Sequence, residues 1–156
     1  MTDRDDSEPG DDAEDGAESG VERIRSVAVH RADVATALEA TLRTDRRVVL
    51  RMTPPFAGRM RGRIHEVGER EQTAGPGEED GGAIHLDPRE LVADPPPYPE
   101  VDDTAATHPD ADLEERRERH SAAVDEWRAA VRDAVTDTVT VDVDGVAHEI
   151  RVVSLG

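Results

Sequence analysis

Arginine is concentrated in one stretch of this sequence, with a spacing that suits anion binding. All 19 Lys+Arg residues are Arg, and seven of them lie within residues 43–63, where Asp45 is the one acid. Arg59, Arg61 and Arg63 are two residues apart, so on a strand they project from one face. Guanidinium groups match phosphate and carboxylate oxygens in pairs. The stretch therefore predicts a surface for a phosphate-bearing ligand.

Two further residues extend this candidate site. Arg51 lies on the preceding predicted strand, from which it can join the row. Phe56 is the only Phe in the chain and lies at the predicted loop tip between the two strands, where its ring is placed to stack on a base. The predicted binding residues are Arg51, Phe56, Arg59, Arg61 and Arg63. RNA is the ligand that this pairing of charge and a stacking ring suits best, although no motif of a known RNA-binding module is present.

A second interpretation of the arginines needs no ligand. In a chain with 37 Asp+Glu residues, a basic strand face can pair with acids of its own long helix, such as Glu114, Glu115 and Glu118, or of its own N-terminal tail. The two interpretations differ in whether the Arg face is exposed to solvent, and the sequence leaves both open.

Other kinds of chemistry find little support. Cys is absent, which excludes disulfides, thiolate nucleophiles and Cys-based zinc sites. No Ser lies in a Gly-x-Ser-x-Gly elbow, and neither a Walker-type phosphate loop nor a GxGxxG pattern is present. The six His form no HExxH pattern, and we expect His148 to make a structural hydrogen bond. We therefore expect no catalytic residue, no metal and no cofactor.

Apolar residues recur with strand and helix periods along most of the chain. Period-two alternation predicts strands, and Pro54 to Gly58 are expected to join the second and third of these strands as an antiparallel hairpin. A terminal hairpin is predicted around Asp144-Gly145. The predicted strands are residues 24–30, 48–52, 59–65, 83–86, 139–143 and 146–152.

Three helices complete the expected architecture. The first covers residues 33–42, and a short second one starts at Asp87, where a cap residue is followed by Pro88. The third and longest runs from about 111 to 137 and is anchored by Trp127. Arg117 and His120 interrupt its apolar stripe, so we expect its first half to be more exposed than its second.

These elements predict one α+β domain over residues 21–156. We expect an antiparallel sheet of about four to six strands, with the long helix packed on it and two shorter helices. Residues 1–20 are predicted to be a disordered acidic tail and residues 68–82 a flexible acidic insertion. Residues 94–100 read as a stiff Pro-rich linker, which also accounts for their PPxY pattern.

The composition as a whole indicates a setting. The chain of 156 residues has a net charge of -18 and contains neither Lys nor Asn. This acid-rich, Lys-free composition resembles that of cytoplasmic proteins from salt-accumulating haloarchaea, and it identifies no characterised family. The resemblance implies a halophilic, cytoplasmic protein. No apolar run approaches the roughly 18 residues that a membrane helix needs, so we expect no membrane partner.

Three functions follow, in order of preference. The first is a non-enzymatic binding module that uses the Arg-rich hairpin to hold a phosphate-bearing ligand such as RNA. The alternative is a protein-interaction or assembly module, in which the basic face and the exposed half of the long helix contact an acidic protein or a second copy of the chain. The third is a small enzyme of unknown class.

Overall fold

The computed structural model describes residues 20–68, 82–143 and 145–156. The predicted acidic tail and acidic insertion fall almost entirely on the remaining residues and so lie outside the described ones. The strands in these ranges are β1 (Ser26–His30), β2 (Arg47–Met52), β3 (Arg59–Arg61), β4 (Arg63–Val67), β5 (Ile84–Leu86), β6 (Thr138–Val143) and β7 (Val146–Leu155). The α-helices are α1 (Arg31–Arg43), α2 (Val101–Thr107) and α3 (Leu113–Asp133), and short 3-10 helices cover Val21–Arg23 and Pro88–Leu91.

The strands form two sheets. Sheet 1 has the order β3-β1-β7-β6, in which β1 is parallel to both β3 and β7, and β6 is antiparallel to β7. Sheet 2 has the order β4-β2-β5 and is antiparallel throughout. The predicted α+β class is confirmed, and α3 is the longest helix with 21 residues. The single antiparallel sheet is replaced by two sheets, one of them mixed, because strand alternation does not reveal which distant strand is the neighbour.

Gly62 divides the stretch that alternation predicts as one strand. Its N–H donates to the carbonyl oxygen of Ala28 at 2.9 Å. A Cβ at this position would lie 3.0 Å from Cγ1 of Val29 and 3.3 Å from Cγ2 of Val27. The absence of a side chain therefore lets the chain pass from sheet 1 to sheet 2 against a packed strand.

The predicted Arg-rich hairpin is consequently only half right. β2 and β4 do pair antiparallel, with Leu50 opposite Ile64. Residues 59–61 instead leave the hairpin and pair with β1 in sheet 1. The sequence alternation continues unbroken through Gly62, so it carries no sign of this change of sheet.

One core joins the two sheets and the helices. Val27 and Ile150 from sheet 1 and Leu50 from sheet 2 are fully buried in the same cluster. α1 buries Leu38 against it and packs on β2, while α3 packs against α1 and α2. The core therefore extends from the sheets through α1 to α3.

Trp127 anchors α3 as predicted. Its ring is buried, and its Nε1 donates to the carbonyl oxygen of Pro96 at 2.8 Å. Tyr98 packs edge-on against it with the ring centroids 5.0 Å apart. The Pro-rich segment is thus held against the helical layer at Pro96 and Tyr98.

Two local predictions are confirmed. β6 and β7 form the terminal hairpin, with Val143 opposite Val146. The Asp87 side chain accepts a hydrogen bond from the Arg89 N–H at 2.9 Å, so it caps the short helix Pro88–Leu91, which is of the 3-10 type. None of the described helices is both long and apolar enough to cross a membrane.

Candidate functional site

Three arginines share the outer face of sheet 1. In the register, Ser26 lies opposite both Arg59 and Arg151, and Ala28 lies opposite Arg61. The residues between them, such as Val27, point the other way into the core. Because side chains alternate along a strand, Arg59, Arg61 and Arg151 project from the opposite face, where all three are exposed. We call these three residues and the small Ser26 and Ala28 between them the arginine face.

The spacing of the arginine face follows from sheet geometry. The Cα atoms of Arg59 and Arg61 are about 7 Å apart along β3, and those of Arg59 and Arg151 are about 10 Å apart across β1. Ser26 and Ala28 lie on β1, between β3 and β7. Their short side chains leave a shallow strip between the arginines. Three exposed arginines therefore lie around a patch of small side chains.

The arginine face has no acid partner in the described part of the chain. No ion pair there joins Arg59, Arg61 or Arg151 to an Asp or Glu. Arg61 instead places its Nη2 3.3 Å from Nε2 of His30. Since a guanidinium only donates hydrogen bonds, Nε2 is the acceptor in this contact.

The expected pairing with α3 is not seen. Glu115 forms its ion pair within the helix, with Arg119 at 3.0 Å. Glu114 and Glu118 are exposed and make no ion pair with the arginine face among the described residues. Pairing with the N-terminal tail involves residues outside the described ranges.

The other two predicted arginines belong to sheet 2. Arg51 and Arg63 face each other as register partners on β2 and β4. Arg63 is exposed and Arg51 is half-buried. The predicted row of Arg59, Arg61 and Arg63 is therefore divided between two sheets at Gly62, and Arg51 joins Arg63 only.

Phe56 does not fit its predicted role. The side chain is 7% exposed and belongs to the hydrophobic core. An apolar ring at a short loop gains more from burial than from exposure to water. Stacking on a base would require the ring to leave the core, so Phe56 is not part of the candidate site.

A second candidate region, a cavity between α2 and α3, was missed at the level of sequence. Its volume is about 520 Å³, and its walls include four arginines and His120. The interruption of the apolar stripe of α3 by Arg117 and His120 was the available signal, because both residues line this cavity. The arginines are Arg43, Arg116, Arg117 and Arg128.

Glu39 holds one end of the cavity together. Arg128 donates from Nε to Oε1 at 2.8 Å and from Nη2 to Oε2 at 2.9 Å, and the Tyr98 hydroxyl donates to Oε2 at 2.9 Å. The hydrogen bonds from Arg128 lower the pKa of Glu39, against the opposing effect of burial. Burial, and then the bond to Glu39, raises the pKa of Tyr98. Both groups therefore keep their charge state at neutral pH, and the bond to Glu39 raises the pKa of Arg128.

The histidines have mostly structural surroundings. Nε2 of His148 lies 2.8 Å from the carbonyl oxygen of Ile24, which confirms the predicted hydrogen bond. His65 and His85 pack with their ring centroids 5.5 Å apart. Within the described ranges, no group of three or more His, Asp or Glu side chains is arranged to hold a metal ion.

The chain is similar to a protein family rather than to an individual curated protein or solved structure. No curated protein matches the chain, and no solved structure does. Residues 13–156 match the family described as Domain of unknown function (DUF8009). The match spans both sheets, all three helices and both candidate regions, and the chain therefore belongs to this family.

Proposed function

We propose that this chain is a non-enzymatic binding module that holds a phosphate-bearing ligand, RNA, on the arginine face. The observation that supports this most is the exposure of Arg59, Arg61 and Arg151 on one face of sheet 1. In the part of the chain that the structure describes, none of them forms an ion pair with an Asp or Glu. The exposed Glu149 lies on the same face two residues from Arg151, and three arginines against this one neighbouring acid leave a local excess of positive charge that attracts phosphate in a chain of net charge -18.

The arginine face suits a phosphodiester chain in two ways. Each guanidinium can donate a pair of parallel hydrogen bonds to phosphate oxygens, and the three groups lie far enough apart to hold successive phosphates. The strip formed by Ser26 and Ala28 is flat, so an extended strand can lie across it without a deep groove.

The same face predicts little sequence preference. The chain has one Phe, one Trp and one Tyr. Phe56 and Trp127 are buried, and Tyr98 lies in the helical layer. Phosphate contacts position a nucleic acid but do not read its bases. We therefore expect binding that tolerates sequence changes in the RNA.

We further propose that this module works in the cytoplasm of a salt-accumulating haloarchaeon. The acid-rich, Lys-free composition supports this setting. In molar salt the diffuse attraction between protein and RNA is screened, with a Debye length of about 3 Å at 1 M. Binding there must depend on direct hydrogen bonds from the guanidinium groups, which salt weakens less.

The test is the affinity of the full chain for a fluorescently labelled single-stranded RNA, measured by anisotropy in KCl from about 0.2 M to 2 M. Arg59→Glu combined with Arg61→Glu should weaken binding by at least about tenfold, which is 1.4 kcal/mol. Arg89→Glu combined with Arg132→Glu is the matched control, because it changes the net charge equally at exposed positions outside the arginine face. An equal loss of affinity in the two variants would show that only the overall charge of the chain matters, and this would overturn the proposal.

A protein partner is the alternative outcome of the same experiment. If the chain binds no RNA but retains an acidic protein during purification, and if Arg59→Glu with Arg61→Glu releases that protein, the arginine face is an interaction surface. The exposed Val153, next to Arg151 on the same strand, is an apolar contact that such a partner would use.

A further inference from the structure

The cavity between α2 and α3 has the features of a ligand site, and it shares no residue with the arginine face. Its volume of about 520 Å³ lies in the range of pockets that hold small organic molecules. Tyr98 and Arg43 lie at one end, and the first half of α3 forms a long wall. We propose that this cavity binds a small organic anion with an apolar body, such as an aryl or branched alkyl phosphate or carboxylate.

The charge of the lining indicates an anion. Four arginines line the cavity, and no Asp or Glu is found among the described residues of its walls. This runs against the whole chain, in which acids outnumber Lys+Arg by 37 to 19. Arg43 and Arg128 share Glu39, at 3.8 Å and 2.8 Å. Arg116 and Arg117 have no ion pair with any described carboxylate, so they carry the charge that a ligand would neutralise.

Arg116 provides a more specific observation. Its Nη2 donates to the carbonyl oxygen of Pro109 at 3.0 Å, which fixes the guanidinium in place. Its Nε is buried, and no described residue accepts a hydrogen bond from it. A buried donor without an acceptor is unfavourable. Because Nε has almost no surface open to solvent, an anionic oxygen provides the missing acceptor once the side chain of Arg116 shifts toward the cavity.

His120 adds a second positioned polar group. Its Nδ1 lies 3.3 Å from Oγ1 of Thr104, a bond that ties α3 to α2 across the cavity. Thr104 is buried and also lies 3.5 Å from the carbonyl oxygen of Glu100. The imidazole is therefore held by its Nδ1 side, and no described residue forms a hydrogen bond to its Nε2.

The remaining lining residues indicate that the ligand is not a bare inorganic ion. Val101 and Leu113 lie on the two helices and are 66% and 64% exposed. Ala105 and Val124 continue this apolar surface deeper into the cavity. Covering them would remove apolar area from water, which favours a ligand with an apolar body. The volume of about 520 Å³ suits a small molecule better than a protein segment.

The experiment measures binding of phenyl phosphate and of benzoate to the full chain by ligand-observed NMR. For probes of this size we expect dissociation constants of about 1 mM or tighter. Arg116→Gln combined with Arg117→Gln should weaken binding by at least about tenfold. Arg132→Gln, at an exposed position at the other end of α3, should leave it unchanged. Near-UV circular dichroism of Trp127 checks that the variants are folded.

Four comparisons complete the test. Leu113→Ser should weaken binding of both aryl probes, while inorganic phosphate should bind more weakly than phenyl phosphate to the unaltered chain. Preference for phenyl phosphate or for benzoate assigns the anionic group of the ligand. No saturable binding of either probe, or equal binding by the double variant, would overturn the proposal. Arg59→Glu with Arg61→Glu should leave cavity binding unchanged, so this proposal and the RNA proposal succeed or fail separately.

Discussion

Gly62 positions the arginine face because it has no side chain. Val27 and Val29 lie so close to its Cα that any side chain would displace them. The hydrogen bond from its N–H to Ala28 continues the pairing of β3 with β1 beyond Arg61. Arg59 and Arg61 reach the outer face of sheet 1 because the chain passes this point closely.

Replacing Gly62 with Ala should therefore destabilise the fold. A methyl group 3.0 Å from Cγ1 of Val29 requires this fully buried side chain to move by a few tenths of an ångström, and overpacking of this kind costs about 1–3 kcal/mol. Gly58→Ala is the control, because a Cβ there would meet only the Arg23 carbonyl oxygen at 3.9 Å. Urea unfolding of the two variants measures the difference. Equal stability of the two variants would show that the close approach at Gly62 does not affect the free energy of unfolding.

Glu39 is the residue whose charge ties α1 to the helical layer. Its side chain is 12% exposed and accepts hydrogen bonds from Arg128 and Tyr98. Glu39→Gln should lower the free energy of unfolding at pH 7 by about 1–2 kcal/mol, because bonds to a charged acceptor are replaced by weaker ones. Arg128 is 43% exposed, so solvent screening limits the loss. Glu126→Gln, at an exposed position on α3, is the matched control.

The effect of Glu39→Gln should depend on pH in one direction. Because folding lowers the pKa of Glu39, its carboxylate stabilises the fold fully above pH 4.5. This contribution is lost as the pH falls through the lowered pKa of the folded state. The stability gap between the unaltered chain and Glu39→Gln should therefore narrow below pH 4.5. A gap that is constant from pH 7 to acid conditions would contradict the role of the charge.

α3 begins at a capped end that supports the cavity wall. The Asp112 side chain accepts a hydrogen bond from the Glu115 N–H at 2.8 Å, one turn before Arg116 and Arg117. Asp112→Ala should cost about 1 kcal/mol and speed amide exchange in the first turn of α3 about fivefold. Hydrogen exchange by NMR measures this at Glu115. Unchanged exchange there would show that packing, rather than the cap, holds the first turn.

Elements held together by local patterns were predictable. The terminal hairpin follows from alternation on both sides of a tight turn, and α1 follows from an apolar stripe. Asp87 followed by Pro88 marks a helix start in the sequence, and the structure has a capped 3-10 helix there. In each case the interactions that fix the element lie within a few residues of it.

Elements that depend on distant partners were not predictable in the same way. α2 follows the Pro-rich segment and contains Thr and Asp, which form helices weakly, and it is held by packing against α3. The placement of β3 beside β1 depends on a close contact at Gly62. Hydrophobic periodicity gives no indication of such a contact. Parallel pairing of β1 with β7 joins residues more than a hundred positions apart.

The candidate site shows the same division. Arg59 and Arg61 were identified from the local concentration of arginine, and the structure exposes both. Arg151 was missed because only the pairing of β7 with β1 brings it to this face. Phe56 was predicted to be a binding residue because it lies in a predicted loop. In the structure its ring is buried in the hydrophobic core instead.

The charge of the whole chain should make its stability depend on salt. At a net charge of -18, repulsion among carboxylates opposes the compact state, and added KCl screens it. The urea midpoint should rise between about 0.1 M and 1 M KCl and then level off, as the Debye length falls to about 3 Å. An equal concentration range of a neutral osmolyte separates screening from surface exclusion. A midpoint that falls or stays constant with KCl would contradict this account.

The most direct test of the central claim is whether the protein retains RNA during native purification in about 2 M KCl, where diffuse attraction is screened. The absorbance ratio at 260 and 280 nm is measured before and after nuclease treatment. We expect nuclease-sensitive absorbance with the unaltered chain and a loss of it with Arg59→Glu combined with Arg61→Glu. Equal nucleic-acid content in both proteins, or a pure protein spectrum from a chain that also fails to bind added RNA, would contradict the claim.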